Sequence, residues 1–98
     1  NSYPTHLWRN GRRVALPNRV PDERPNGAGV ATDRGRFAGD ALLEEALEWL
    51  SRPRSGPFLL VYTPTLPHAN NESKPLGLEV PDADTAAYAD QPWPEAMK

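Results

Sequence analysis

The sequence has no cysteine. Disulfides, thiolate metal sites and a cysteine nucleophile are therefore excluded among its residues. It has no apolar run near the ~18 residues that a membrane-crossing helix needs, and its start carries no signal-peptide pattern. It opens Asn1-Ser2-Tyr3-Pro4 without Met, which suits a processed product or a piece of a larger protein. Charge of one sign is missing too: 11 Lys and Arg stand against 13 Asp and Glu, a formal net charge of -2. So even a balance leaves no electrostatic footprint for nucleic acid or a membrane surface, and neither is expected as a partner. Apolar residues are scarce, at 38% of 98 residues with a mean hydropathy of -0.69. A chain of ~100 residues buries well under three-quarters of its unfolded surface, so the core is expected to be thin. Metal-site patterns are lacking. Asp82 and Asp84 are two apart but no EF-hand pattern follows, and there is no Walker loop, Rossmann fingerprint or nucleophile elbow.

Proline is what the chain has in quantity, 12 residues of it, and prolines bracket its most apolar stretch. Phe58-Leu59-Leu60-Val61-Tyr62 is a continuous apolar run between Gly56-Pro57 and Thr63-Pro64. A run this short, stopped by proline on both sides, predicts a strand over 57–63 that is buried on both faces, as in a parallel sheet. A helix of that length is disfavoured by the same prolines. Ligands in open α/β sheets gather beyond the carboxyl ends of strands, and His68 lies there.

Upstream, Asn10-Gly11 between Leu7-Trp8-Arg9 and Arg12-Arg13-Val14 predicts a hairpin over 3–17, because a type I′ turn needs positive φ at both central positions. That register puts Trp8 opposite Arg13, a candidate cation–π pair, and Leu7 opposite Val14. Residues 18–36 read as loop, with Asp33, Arg34 and Arg36 on a solvated face. So long a structureless loop is unusual in a compact domain and implies an excursion, disorder or packing on something outside the chain. Residues 37–51 predict an amphipathic helix: Phe37, Ala41, Leu42, Leu43, Ala46, Leu47 and Leu50 recur at three- and four-residue spacing, and Pro53 stops it. Residues 64–98 read as a Pro-rich loop region, with a short edge strand around Leu76-Gly77-Leu78-Glu79-Val80 and a helix start at Glu95-Ala96-Met97-Lys98.

His68 is the leading candidate for chemistry, since imidazole can donate to an anionic oxygen or pass a proton near neutral pH. A structural hydrogen bond is the competing use, and it is the expected one for His6 in the hairpin. Asn70 joins His68 as a substrate-binding candidate through its side-chain amide; Asn70 and Asn71 could equally cap a turn. Asn71-Glu72-Ser73 fits the N-glycosylation pattern. Ser51-Arg52-Pro53-Arg54-Ser55 is near a Cys/Ser-x-Pro-x-Arg nucleophile signature but ends in Ser55 instead of Arg. It also closes a helix where an anion site would open one, and it reads as a helix stop.

Several of these segments resemble bacterial arylsulfatase-type sulfatases. Tyr3-Pro4, Leu7-Trp8-Arg9-Asn10-Gly11, Val14 and Leu16-Pro17 are similar to one segment of that family, and the helix from Ala41 to Leu50 to another. The match is nearest over Gly56-Pro57-Phe58-Leu59-Leu60-Val61-Tyr62-Thr63-Pro64-Thr65-Leu66-Pro67-His68-Ala69-Asn70-Asn71-Glu72, and Tyr88-Ala89-Asp90-Gln91-Pro92-Trp93-Pro94 with Met97-Lys98 also fits. Only 18–33 and about 73–79 fall outside it.

The resemblance implies an α/β fold: a fragment of an alkaline-phosphatase-like α/β/α sandwich, with an N-terminal β-hairpin, one amphipathic helix, one buried strand and long loops. It implies a sulfuric ester hydrolase acting on a sulfate ester substrate, periplasmic or secreted. Residues 1–98 would be one segment of that domain, with the remainder of the parent chain as partner. The family uses calcium and a formylglycine, whose hydrate attacks sulfur; neither is expected to be held by this chain alone. Its sulfate-contacting His maps onto His68, while Lys98 is not assigned the family's sulfate-binding Lys. Two other readings stand beside this one. One is an autonomous binding or scaffolding module with a surface of Trp8, Trp93, Tyr3 and Tyr88. The other is a pseudo-sulfatase anion-binding domain.

Overall fold

A computed structural model describes residues 1–94 and residue 97. The elements are β1 (His6–Arg9), β2 (Arg12–Ala15), β3 (Asn18–Arg19), β4 (Asp33–Arg34), α1 (Ala38–Ser51) and α2 (Asp82–Ala86). The chain is thus a small mixed α/β unit with two antiparallel two-stranded sheets and two helices among the described residues. Its radius of gyration is 15.9 Å, against about 13 Å for a compact chain of this length. The elements are spread out, as the low apolar content foretells.

The hairpin forms in the expected register, Leu7 with Val14 and Trp8 with Arg13. Asn10 and Gly11 both take positive φ, 51° and 76°, which is the type I′ requirement. The Trp8–Arg13 cation–π pair is not made. Trp8 sits edge-on to His6 instead, ring centroids 5.7 Å apart. The two are i and i+2 on one strand face, while the Arg13 side chain is exposed.

Residues 18–36 are not structureless. β3 and β4 pair antiparallel, Asn18 with Arg34 and Arg19 with Asp33. The Asn18 side-chain amide closes the unit: Nδ2 donates to the Pro4 and Arg36 carbonyls, each at 2.8 Å, and Oδ1 accepts from the Arg36 N–H at 2.8 Å. The loop brings Val20 and Ala31 against Tyr3 and Phe37, and these four make the buried core. Tyr3 and Phe37 rings lie 5.3 Å apart, and the Arg34 guanidinium covers Tyr3 at 5.4 Å. Burial pushes the Tyr3 phenol above its ordinary pKa, with Arg34 pulling the other way. Asp33 and Arg34 are exposed as expected, while Arg36 is half-buried and pairs with Glu44.

α1 spans the expected residues, and Ala38 N–H donates to the Ser2 carbonyl at 2.9 Å, tying the N-terminal segment to the helix start. At its other end Arg54 folds back over the Trp49 ring at 3.7 Å and the Phe58 ring at 4.6 Å. Its guanidinium donates to the carbonyls of Trp49, Leu50 and Arg52 at the helix end, where the Trp49 carbonyl also accepts from the Arg52 N–H. Ser51 Oγ donates to the Glu48 carbonyl at 2.8 Å, so this stretch is a helix stop.

The predicted buried strand over 57–63 is corrected. The run is extended but unpaired, and its side chains are exposed. A strand buried on both faces needs sheet neighbours on both edges and layers on both faces; β1–β4 supply neither. The edge strand expected near Leu76–Val80 is absent as well. Gly77 accepts a main-chain bond from Asn70 instead. Of the helix start expected at the C-terminus, Glu95, Ala96 and Lys98 lie outside the described residues.

Removing the Asn18 amide should loosen the whole N-terminal half. Asn18→Ala is expected to cost about 1–3 kcal/mol, since it strips partners from part-buried main-chain groups. Asn18→Asp should cost as much, because it keeps the bond from Arg36 N–H but turns an oxygen toward two carbonyls. Chemical denaturation of the three proteins checks both.

An acid limb should also be visible. The Arg36 guanidinium holds the Glu44 carboxyl below the ordinary carboxylate range, and Arg52 does the same to Glu48. A carboxyl depressed in the folded state adds stability above its unfolded pKa of about 4.3, and that contribution disappears as pH falls through the lower folded value. Both carboxylates face solvent, so the effect is small. Glu44→Gln should flatten the fall in thermal midpoint between neutral and acidic pH; an unchanged slope would refute the pairing.

Candidate functional site

His68 sits in a tight turn after the extended run, its N–H donating to the Thr65 carbonyl at 2.9 Å. Its Nδ1 lies 2.6 Å from the Ala69 carbonyl. A carbonyl only accepts, so Nδ1 carries the proton. Nε2 is then the free nitrogen: a lone pair in the neutral ring, a second N–H donor in the imidazolium.

The turn is anchored from behind. Asn70 is 4% exposed, and its Nδ2 donates to the Gly29 carbonyl at 2.8 Å while its Oδ1 accepts from the Glu72 N–H at 3.2 Å. Asn70 N–H donates to the Gly77 carbonyl at 2.8 Å, and its own carbonyl accepts from Ser73 N–H at 3.0 Å. The Asn70 amide is thus engaged with the chain itself, in the turn-capping use. From the front, Leu66 approaches the start of α1 where Gly39 leaves room: a Cβ at residue 39 would stand 2.9 Å from Leu66 Cδ1 and 2.7 Å from Phe37 Cε1.

Between this turn and the N-terminal segment lies an open hollow of about 330 Å³, lined by Asn1, Ser2, Thr65, His68 and Ala69. Ser2 is placed there by two bonds. Its carbonyl accepts from Ala38, and its N–H donates to Glu79 Oε2 at 2.8 Å. Glu79 is buried, and its Oε1 has no partner among the described residues; the same holds for Asn1 Nδ2. Sequence reasoning missed Asn1, Ser2, Thr65 and Glu79. No local signal marks them, because the Ser2–Glu79 bond joins residues 77 apart.

Chemically, the hollow offers one imidazole and two hydroxyls, donors suited to an anionic oxygen. Neither Arg nor Lys lines it. Among the described residues no three His, Asp or Glu side chains stand together as a metal site. A larger groove, about 570 Å³, runs between the hairpin and α1, past Trp8, Val14 and Leu42. It is remote from His68, and its charges are paired with one another or a neighbour: Arg9 with Glu45, Arg36 with Glu44, Glu48 with Arg52. It leaves no free group for chemistry.

Tyr3 is in the core and cannot join an aromatic contact surface. Tyr88 and Trp93 do stack, 5.9 Å apart and exposed, and Trp8 is exposed on the hairpin. No helix among the described residues is long and apolar enough to cross a membrane. Comparison with known family models, curated proteins and solved structures finds no match for this chain.

Asn70→Ala should release the turn. The expected cost is about 1–3 kcal/mol, with faster hydrogen exchange at the Asn70 N–H and at the His68 N–H. Unchanged exchange at both would show that the amide does not hold the turn.

Proposed function

We propose that the chain is a segment of an arylsulfatase-type sulfatase, a sulfuric ester hydrolase, and that His68 is its sulfate-contacting side chain. The observation that carries this reading is the placement of His68. It follows an extended apolar run, its Nδ1 is pinned to the Ala69 carbonyl, and its Nε2 is left free beside a polar hollow. The order of segments resembling the family, densest over 56–72, supports the same assignment. An α/β/α sandwich would supply what the run over 57–63 needs, neighbouring strands and a covering layer.

The family's formylglycine and calcium do not fit the residues present. Ser51, the nearest approach to a precursor, donates its hydroxyl into the end of α1, and among the described residues no acidic cluster is available for calcium. In this reading both come from other parts of the parent domain. What this chain does is bind and orient. Protonated His68 donates to a sulfuryl or leaving-group oxygen from Nε2, with Thr65 and Ser2 hydroxyls beside it. Asn70 serves as a positioning residue for that turn.

Titration of the 98-residue chain with inorganic sulfate, followed by imidazole resonances, tests this. The expected result is a saturable His68 shift that His6 does not share, and that Thr65→Val weakens. No His68 response removes its assigned role. Hydrolysis of an aryl sulfate by the chain alone would overturn the assignment of nucleophile and metal to other segments.

A further inference from the structure

The run over 58–63 has a strand's geometry without a strand's partners. Exposure alternates along it: Phe58 52%, Leu59 84%, Leu60 36%, Val61 72%, Tyr62 42%. That is the period of two of a pleated strand, with residues 58, 60 and 62 turned toward the molecule and 59 and 61 away. Among the described residues, none of its main-chain N–H or carbonyl groups has a hydrogen-bond partner. No charged residue occurs between Arg54 and His68. An uncharged apolar edge with open main-chain groups is a template for another strand.

We propose that this edge is occupied by a second copy of the chain, paired antiparallel about a two-fold axis at Leu60. The inference does not rest on the sulfatase reading: it concerns the 98-residue chain by itself, whose open edge the strands of a parent sheet would otherwise fill. It rests on how the run matches itself. In that register Phe58 faces Tyr62, Leu59 faces Val61 and Leu60 faces its own copy, so aromatic meets aromatic and aliphatic meets aliphatic, with no like charges opposed. The prolines choose the edge. In an extended strand the main-chain groups of 58, 60 and 62 point one way and those of 57, 59, 61 and 63 the other. Pro57 removes a donor from the second edge. The first edge is intact until Pro64, which ends the pairing. Along it the two copies exchange about six main-chain hydrogen bonds, and the interface is isologous and closed.

Sedimentation equilibrium of the full 98-residue chain, with amide hydrogen exchange at several concentrations, tests this. The expected result is a reversible monomer–dimer equilibrium. Exchange at Phe58, Leu60 and Tyr62 N–H slows with concentration, while Leu59 and Val61 stay fast. Leu60→Pro removes the central donor from a segment that makes no main-chain bond in the monomer, so it should leave the hairpin and α1 signals unchanged. It should weaken dimerisation about tenfold or more, equivalent to at least about 1.4 kcal/mol. A chain that stays monomeric into the millimolar range overturns the proposal, and leaves the edge to strands of another polypeptide. Open-ended assembly overturns it, as does a dimer that survives Leu60→Pro or one whose slowed amides are Leu59 and Val61. A monomer that still shows the His68 sulfate shift separates failure here from failure of the functional reading.

Discussion

Side-chain amides and one carboxylate hold this structure together, because its apolar core is too small to do so. Tyr3, Val20, Ala31 and Phe37 are the buried cluster, and no large side chain is fully enclosed. Ordering each residue costs about 1–2 kcal/mol of main-chain entropy, which four side chains cannot offset over so long a chain. Asn18 and Asn70 act where burial is thin. Each reaches across a long sequence interval to main-chain groups that would otherwise be orphaned: Asn18 to Pro4 and Arg36, Asn70 to Gly29. Glu79 does the same for Ser2. A buried amide with satisfied donors and acceptors contributes modestly when made and costs more when broken. The fold is correspondingly specific in its connections and weak in its packing.

Local chemistry was legible in the sequence, and long-range chemistry was not. Asn10-Gly11 dictates its turn and register through φ alone, and α1 announces itself by spacing and by Pro53; both formed as expected. The segment 18–36 reads as loop because Pro, Gly and Asn dominate it, yet it pairs β3 with β4. The deciding contact is the Asn18 amide, whose partners lie 14 and 18 residues away, beyond any periodicity window. The run over 57–63 failed in the opposite sense. Its pattern names the environment it wants, buried on both faces, but says nothing of whether the chain can provide it. His68 stands out as a candidate by composition and position. Ser2 and Thr65, which share its hollow, became visible only through folding.

The exposed run and the polar turn are adjacent in sequence and opposite in character. Residues 58–63 have no main-chain partner among the described residues; from Thr65 onward the bonds resume, through His68, Asn70, Ser73 and Gly77. Pro64 marks the change, taking away an N–H where pairing would otherwise continue. Hydrophobic run and polar turn are thus two mechanical units joined at one residue. The first is unsatisfied and awaits partners, whereas the second is complete within the chain.

This division bears on where the His68 geometry comes from. In a layered α/β protein, a residue beyond a strand's carboxyl end is held by the sheet beneath it. Here the strand has no sheet, yet the turn is formed. It is held by Gly29 through Asn70 and by the start of α1 through Leu66 at Gly39, and it faces Ser2, itself fixed by Ala38 and Glu79, across the hollow. All of these contacts come from parts of the chain other than the strand. Pairing of the 58–63 edge, by whatever strand, therefore leaves these contacts in place. The orientation of Nε2 is set by the Ala69 carbonyl one residue away, the shortest tether of all. A site assembled this way keeps its donor geometry in either state of the strand.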